Sequence, residues 1–126
     1  MRINHIELPV SDSQASKRFY IEKLGFKLEG DNDGKYIWLS LGDVTVLLRP
    51  GKPQRLPFEQ THNIVLCTDD LGGTHKKLAA RGVAMKKGGN VYYIQDPDGH
   101  WFQLVDPKQD HSRDDDITGK SPRSIK

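Results

Sequence analysis

The chain repeats itself. Residues 6–12, Ile-Glu-Leu-Pro-Val-Ser-Asp, return at 64–70 as Ile-Val-Leu-Cys-Thr-Asp-Asp, and Leu-Gly-Phe at 24–26 returns at 81–83 as Arg-Gly-Val. A period of nearly sixty residues marks one supersecondary unit used twice, which restricts the fold to architectures built from two copies. The first copy opens with Ile6, Leu8 and Val10 on one face of a strand and His5, Glu7 and Pro9 on the other. Ser11, Asp12 and Ser13 offer helix caps, and Ala15, Phe19 and Leu24 form the stripe of a helix that stops at Gly25. Strands follow at 26–30, 35–41 and 44–49, punctuated by Asp31-Asn32-Asp33-Gly34 and Gly42-Asp43. The second copy places strands at 63–68 and 83–87 around a helix at 71–81, which Asp69 or Asp70 caps and Gly82 ends. Gly72 and Gly73 weaken that helix's first turn. Each copy therefore reads β-α-β-β-β, an α+β class.

The second copy closes on a hairpin over residues 91–107. Two aromatic and β-branched runs flank Asp96-Pro97-Asp98-Gly99, where proline presets one turn position and glycine accepts positive φ. Along the last strand Trp101, Gln103 and Val105 share one side, and Phe102, Leu104 and Asp106 share the other. Gln103 is thus a polar residue on an otherwise apolar face, either a ligand contact or a solvated side chain.

A length of 126 residues suits one domain. That domain is expected over 1–107, as units 1–50 and 61–107 joined by a linker, 51–60, that holds Pro53 and Pro57. Within 108–126 the sizeable aliphatic residues are Ile117 and Ile125, set among charged and polar ones. So polar a segment buries too little to offset its ordering entropy, and a disordered tail is expected. A net charge of +2 without a long basic stretch argues against a nucleic-acid partner. No apolar run reaches membrane-spanning length. The single cysteine, Cys67, excludes an intrachain disulfide and suits a reducing compartment. The first residues lack the apolar stretch of a signal peptide, so a cytoplasmic protein is expected. Phosphate loops, catalytic triads and paired-cysteine zinc motifs do not occur.

Several motifs together carry a likeness: His-Ile-x-Leu-x-Val-x-Asp at the start, Arg-Phe-Tyr-x-x-x-Leu-Gly-Phe, the duplicated unit, and a closing Asp-Pro-Asp-Gly-x-x-x-x-Leu-x-x-Pro. The chain resembles the vicinal oxygen chelate superfamily, which includes glyoxalase I, bleomycin-resistance proteins, fosfomycin-resistance enzymes and extradiol dioxygenases. The resemblance implies eight strands in an incomplete barrel around a cup, and a homodimer whose subunits complete each other's cups. It further implies metal-ligand positions on the first and last strand of each unit. Counted from the flanking Asp and Pro residues, those positions hold His5, Val46, Asn63 and Gln103. The fosfomycin-type pattern the resemblance implies is His, His, Glu, and the chain departs from it at Asn63 and Gln103. His62 could stand in only if a bulge turned it inward.

By alternation the cup candidates are Tyr36, Trp38, Val46, Leu48, Val65, Cys67, Tyr93, Trp101 and Val105. For ligand contact the residues singled out are Tyr36, Trp38, Asn63, Tyr93, Trp101 and Gln103. Aromatic faces there would stack on a flat molecule. His5 and Glu7 are the candidate acid–base pair, and Arg49 a candidate anion clamp. Cys67 reads as a small buried hydrophobe. Two functions follow. One is cofactor-free binding of a small organic molecule, in a resistance or sequestration role. The other is a lyase, isomerase, transferase or dioxygenase using Ni, Co, Mn, Fe or Zn on vicinal oxygens, with His5, Gln103 and His62 as metal candidates.

Overall fold

The computed structural model describes residues 1–108 and 122–125. Two compact units meet between Gln54 and Arg55. In the first, β1 (Ile6–Val10), α1 (Ser13–Arg18), a π-helical turn (Phe19–Lys23), β2 (Lys27–Asn32), β3 (Tyr36–Leu41) and β4 (Val44–Pro50) follow in order. The sheet runs β1-β4-β3-β2. β1 lies parallel to β4, and the other neighbours are antiparallel. The ladder sets Ile6 against Val46 and Leu39 against Val46, so that row faces one way. Val10, Ile37, Leu39, Val46 and Leu48 on this face are buried, as are Tyr20 and Phe26. α1 packs over β3 and β4.

Asp12 caps α1 by accepting from the Ala15 N–H at 3.1 Å, satisfying a donor that the helix leaves free. The buried helix positions are Ser16 and Tyr20, not the expected stripe of Ala15, Phe19 and Leu24. A search for apolar residues overlooks Ser16, which is polar but small enough to let the backbone approach the sheet. Tyr20 brings the larger ring, packed edge-on to Phe26 at 5.3 Å. The last turn widens, with Leu24 N–H donating to the Phe19 carbonyl five residues back.

The second unit holds β5 (Asn63–Cys67), α2 (Leu71–Ala80), β6 (Met85–Gly88), β7 (Val91–Gln95) and β8 (Trp101–Val105), in sheet order β5-β8-β7-β6. β5 and β8 are parallel, as β1 and β4 are. Each unit thus yields one open four-stranded sheet, the duplicated architecture expected. All five residues of β8 are buried, so this central strand is covered on both faces. The hairpin is held by Asp96, whose Oδ1 accepts from the Asp98 and His100 amides at 3.0 and 2.8 Å. Gly99 sits at φ +93°, where a side chain would be strained.

Two expectations shift here. Residues 55–60, placed in a linker, are bonded into the second unit. Arg55 Nη2 donates to the Pro97 carbonyl at 2.6 Å, the Leu56 carbonyl accepts from Trp101 Nε1 at 2.7 Å, and Phe58 is buried. Four residues of the segment expected to be disordered, 122–125, are packed on the same unit. Pro122 is buried, and its carbonyl accepts from the Phe58 amide at 3.4 Å. Ile125 packs against Phe58, Tyr93 and Trp101. Apolar burial at Ile125 offsets an ordering cost that composition alone charges to the whole segment. For residues 109–121 and 126 the expectation of disorder lies outside the described residues. Among the described residues no helix is long and apolar enough to cross a membrane.

Candidate functional site

The face of the first sheet opposite α1 carries the polar residues. Glu7, Leu47 and Trp38 form one register row, with Pro9 and Arg49 in the next along the β1–β4 ladder. His5 immediately precedes β1. Its Nε2 lies 2.9 Å from Glu7 Oε2 and its Nδ1 2.7 Å from Asn4 Oδ1. Arg49 Nε completes the chain 3.2 Å from Glu7 Oε1. The imidazole meets Trp38 edge-on at 4.9 Å, which fixes the ring over the sheet. Tyr36 shares this side of β3 and stays exposed.

The hydrogen bond from His5 is the largest influence on Glu7, and the charges of His5 and Arg49 add to it. Against the opposing effect of desolvation, they hold the carboxyl below its ordinary value. A depressed carboxylate stabilises the fold above its unfolded pKa, and that contribution is lost as pH falls through the folded value. Glu7→Gln is therefore expected to lose that contribution at neutral pH, to flatten the acid limb below the usual glutamate range, and to converge with wild type at the acid end. Urea titrations from pH 6 down to about pH 3 check this, and parallel acid limbs would contradict it.

On the second sheet, Asn63 pairs with Trp101, and Val65 and Tyr93 both pair with Gln103. Gln103 Nε2 donates to Asn63 Oδ1 at 2.7 Å. Gln103, Tyr93 and Trp101 are each at most 2% exposed, so a bonded amide pair lies among aromatic rings. Phe58 meets Tyr93 edge-on at 5.0 Å and Trp101 at 5.7 Å. The Tyr93 ring lies so close to β6 that a Cβ at Gly88 would stand 2.7 Å from it. On the opposite face, beside α2, His75 stacks on Tyr92 at 4.2 Å.

The family model described as the Glyoxalase/Bleomycin resistance protein/Dioxygenase superfamily matches residues 2–104. The chain belongs to this superfamily. The glutathione transferase FosA of Serratia marcescens is 32% identical over 112 residues, covering 81% of this chain and 78% of FosA. A probable lactoylglutathione lyase of Vibrio parahaemolyticus is 28% identical over 130 residues, covering 86% and 92% of the two chains. Among solved structures, the antibiotic binding protein TnmS3 from Streptomyces sp. CB03234 superposes with a TM-score of 0.67 at 28% identity, covering 86% of this chain and 99% of TnmS3.

The ladders correct one of the superfamily's ligand positions. Glu7 pairs with Leu47 in the first unit as Val65 pairs with Gln103 in the second, so the counterpart of Gln103 is Leu47. Val46 faces α1 with Ile6 and Leu39, and Leu48 joins it there, so neither lies on the ligand-bearing side. Counting back from proline misleads because β4 runs through Pro50, whereas β8 ends at Val105, two residues before Pro107. His62 is exposed and lies just before a β5–β8 ladder that is regular from Asn63 onward, so no bulge turns it. Cys67, expected to be buried, is an exposed free thiol. Residues that the sequence reading did not single out are Leu47, Phe58 and Ile125. A lone aromatic in a proline-flanked loop was the available signal for Phe58.

These donors do not fit a divalent metal. Both ring nitrogens of His5 are engaged, Leu47 offers no donor atom, and the carboxamides of Asn63 and Gln103 bond each other. Among the described residues no three of His, Cys, Asp or Glu are grouped to hold an ion. Transition metals need imidazole, thiolate or carboxylate donors to offset their dehydration.

Proposed function

We propose that this chain binds a small, flat organic molecule with a polar edge, without a metal, and acts by sequestration or resistance. The observation that carries this reading is the amide pair of buried Gln103 and half-buried Asn63, whose ladder neighbours are Tyr93 and Trp101. It stands where the superfamily resemblance implies metal ligands. Aromatic faces supply stacking area, and an amide offers both a donor and an acceptor to a polar edge. In the first unit, Trp38, His5, Glu7 and Arg49 supply a second surface, suited to a group that exchanges hydrogen bonds with a carboxylate and a guanidinium. The likeness to the antibiotic binding protein TnmS3 supports the reading. Assembly as a cytoplasmic homodimer completes it.

The similarity to FosA favours a second reading, a metal-dependent transferase or lyase in which His5 serves as ligand or base. Thermal shifts on chelator-stripped protein separate the two. Planar aromatic antibiotics are expected to raise the melting temperature with no metal present. Ligand at a hundredfold excess over its dissociation constant stabilises by about 2.7 kcal/mol. Ni, Co, Mn, Fe and Zn alone are expected to leave the temperature unmoved. A shift with stoichiometric metal and none with aromatic compounds would favour the enzyme.

A further inference from the structure

The aromatic face of the second unit already has an occupant. Ile125 packs against the buried cluster of Phe58, Tyr93 and Trp101, as Val91 does. Its amide donates to Gln95 Oε1 at 3.1 Å, and the Pro122 carbonyl accepts from Phe58 at 3.4 Å. Gln95 pairs with Trp101 across the β7–β8 ladder, and Tyr93 pairs with Gln103. The segment 122–125 therefore sits on the side of the sheet that bears the amide pair, not on the side beside α2. Its contacts imitate those of a ligand, with one apolar group on aromatic rings and one polar atom bonded to a side-chain amide.

We propose that residues 122–125 are a built-in competitor for this face, which a ligand must displace. The inference rests on the small-molecule reading above and adds self-occlusion to it. Two anchors hold the segment, one hydrogen bond to the loop before β5 and one side-chain anchor to β7. Because the segment is covalently joined to the sheet it covers, it competes at a fixed effective concentration that dilution does not lower. Apparent ligand affinity is then the intrinsic affinity reduced by the fraction of molecules whose face is uncovered. Selectivity follows as well, since a molecule with more contact on the rings than one isoleucine displaces the segment at lower concentration.

The test uses the full chain and the anionic, amphipathic probe dye anilinonaphthalene sulfonate. In methyl NMR the Ile125 δ1 resonance, assigned with Ile125→Val, is expected upfield, shifted by the rings of Tyr93 and Trp101. It is expected to move to an unshifted position as dye is added. Ile125→Ser is expected to tighten dye binding by roughly fivefold, the scale of losing part of one isoleucine's burial. An unshifted methyl in the free protein, or a shift that persists at saturating dye, overturns the proposal. Equal dye affinity in wild type and Ile125→Ser overturns the competition alone. No dye binding to either chain overturns the competition and the ligand reading of this face together. Should Ile125→Ser fail to fold, displacement of the wild-type methyl still decides.

Discussion

Trp101→Ala is expected to lower the stability of this chain by about 3–5 kcal/mol, the usual cost of truncating a fully buried aromatic. Trp101 is 1% exposed, meets Phe58 edge-on at 5.7 Å and Tyr93 at 6.4 Å, and donates its indole N–H to the Leu56 carbonyl. Alanine would leave a cavity beneath both rings and an unpaired carbonyl in the loop that carries Phe58. Trp101→Phe keeps most of the ring contact and loses only the hydrogen bond, so about 1–2 kcal/mol is expected. Domains of this size hold a total of about 5–15 kcal/mol, so the alanine variant stands near the edge of folding. Urea midpoints at unchanged slope measure both effects. A loss below about 1 kcal/mol for alanine would mean that the cluster is not the core of the second unit.

Much of this arrangement is legible in the sequence because it is periodic. Alternation in β1 and β3 places Ile6, Leu8, Ile37 and Leu39 on the helix side, and Glu7 and Trp38 opposite them. The turn at Asp96-Pro97-Asp98-Gly99 is local chemistry, and it forms where those residue types require it. Three features are not periodic and so escape. The register of β4 against β1 is a long-range pairing, and a count from a flanking proline shifts it by one residue, exchanging Val46 for Leu47. Phe58 and Ile125 reach the aromatic cluster from irregular backbone, where no period reports which way a side chain points. The bonding of Asn63 to Gln103 joins parallel strands forty residues apart, and no local pattern encodes such a contact.

The chemistry of the site turns on one atom of Gln103, and Gln103→Glu exchanges that atom with almost no change in shape. Gln103 is 2% exposed, and its Nε2 donates to Asn63 Oδ1. Glutamate has no donor when ionised. Asn63 can turn its amide to donate instead, recovering one hydrogen bond but not the cost of burying the charge. At pH 7 the variant is expected to be less stable by about 2–4 kcal/mol, the scale of placing a charged carboxylate at a buried position. Burial would raise its folded pKa, so the sign is opposite to that of Glu7. The penalty is present above the folded value and fades as pH falls toward about 4, where both folded and unfolded states bind the proton. A divalent cation offers a second way to relieve that charge. Zn or Mn is expected to raise the melting temperature of Gln103→Glu and not of wild type, because only the variant presents a carboxylate at that position on β8. If wild type and variant were equally stable at pH 7 and responded equally to metal, positive charge would already stand at this face, and the metal-free pocket would be the wrong reading. If only the variant responds, the carboxamide of Gln103 is one of the departures, with Asn63, that set this chain apart from the metal-binding pattern of its superfamily.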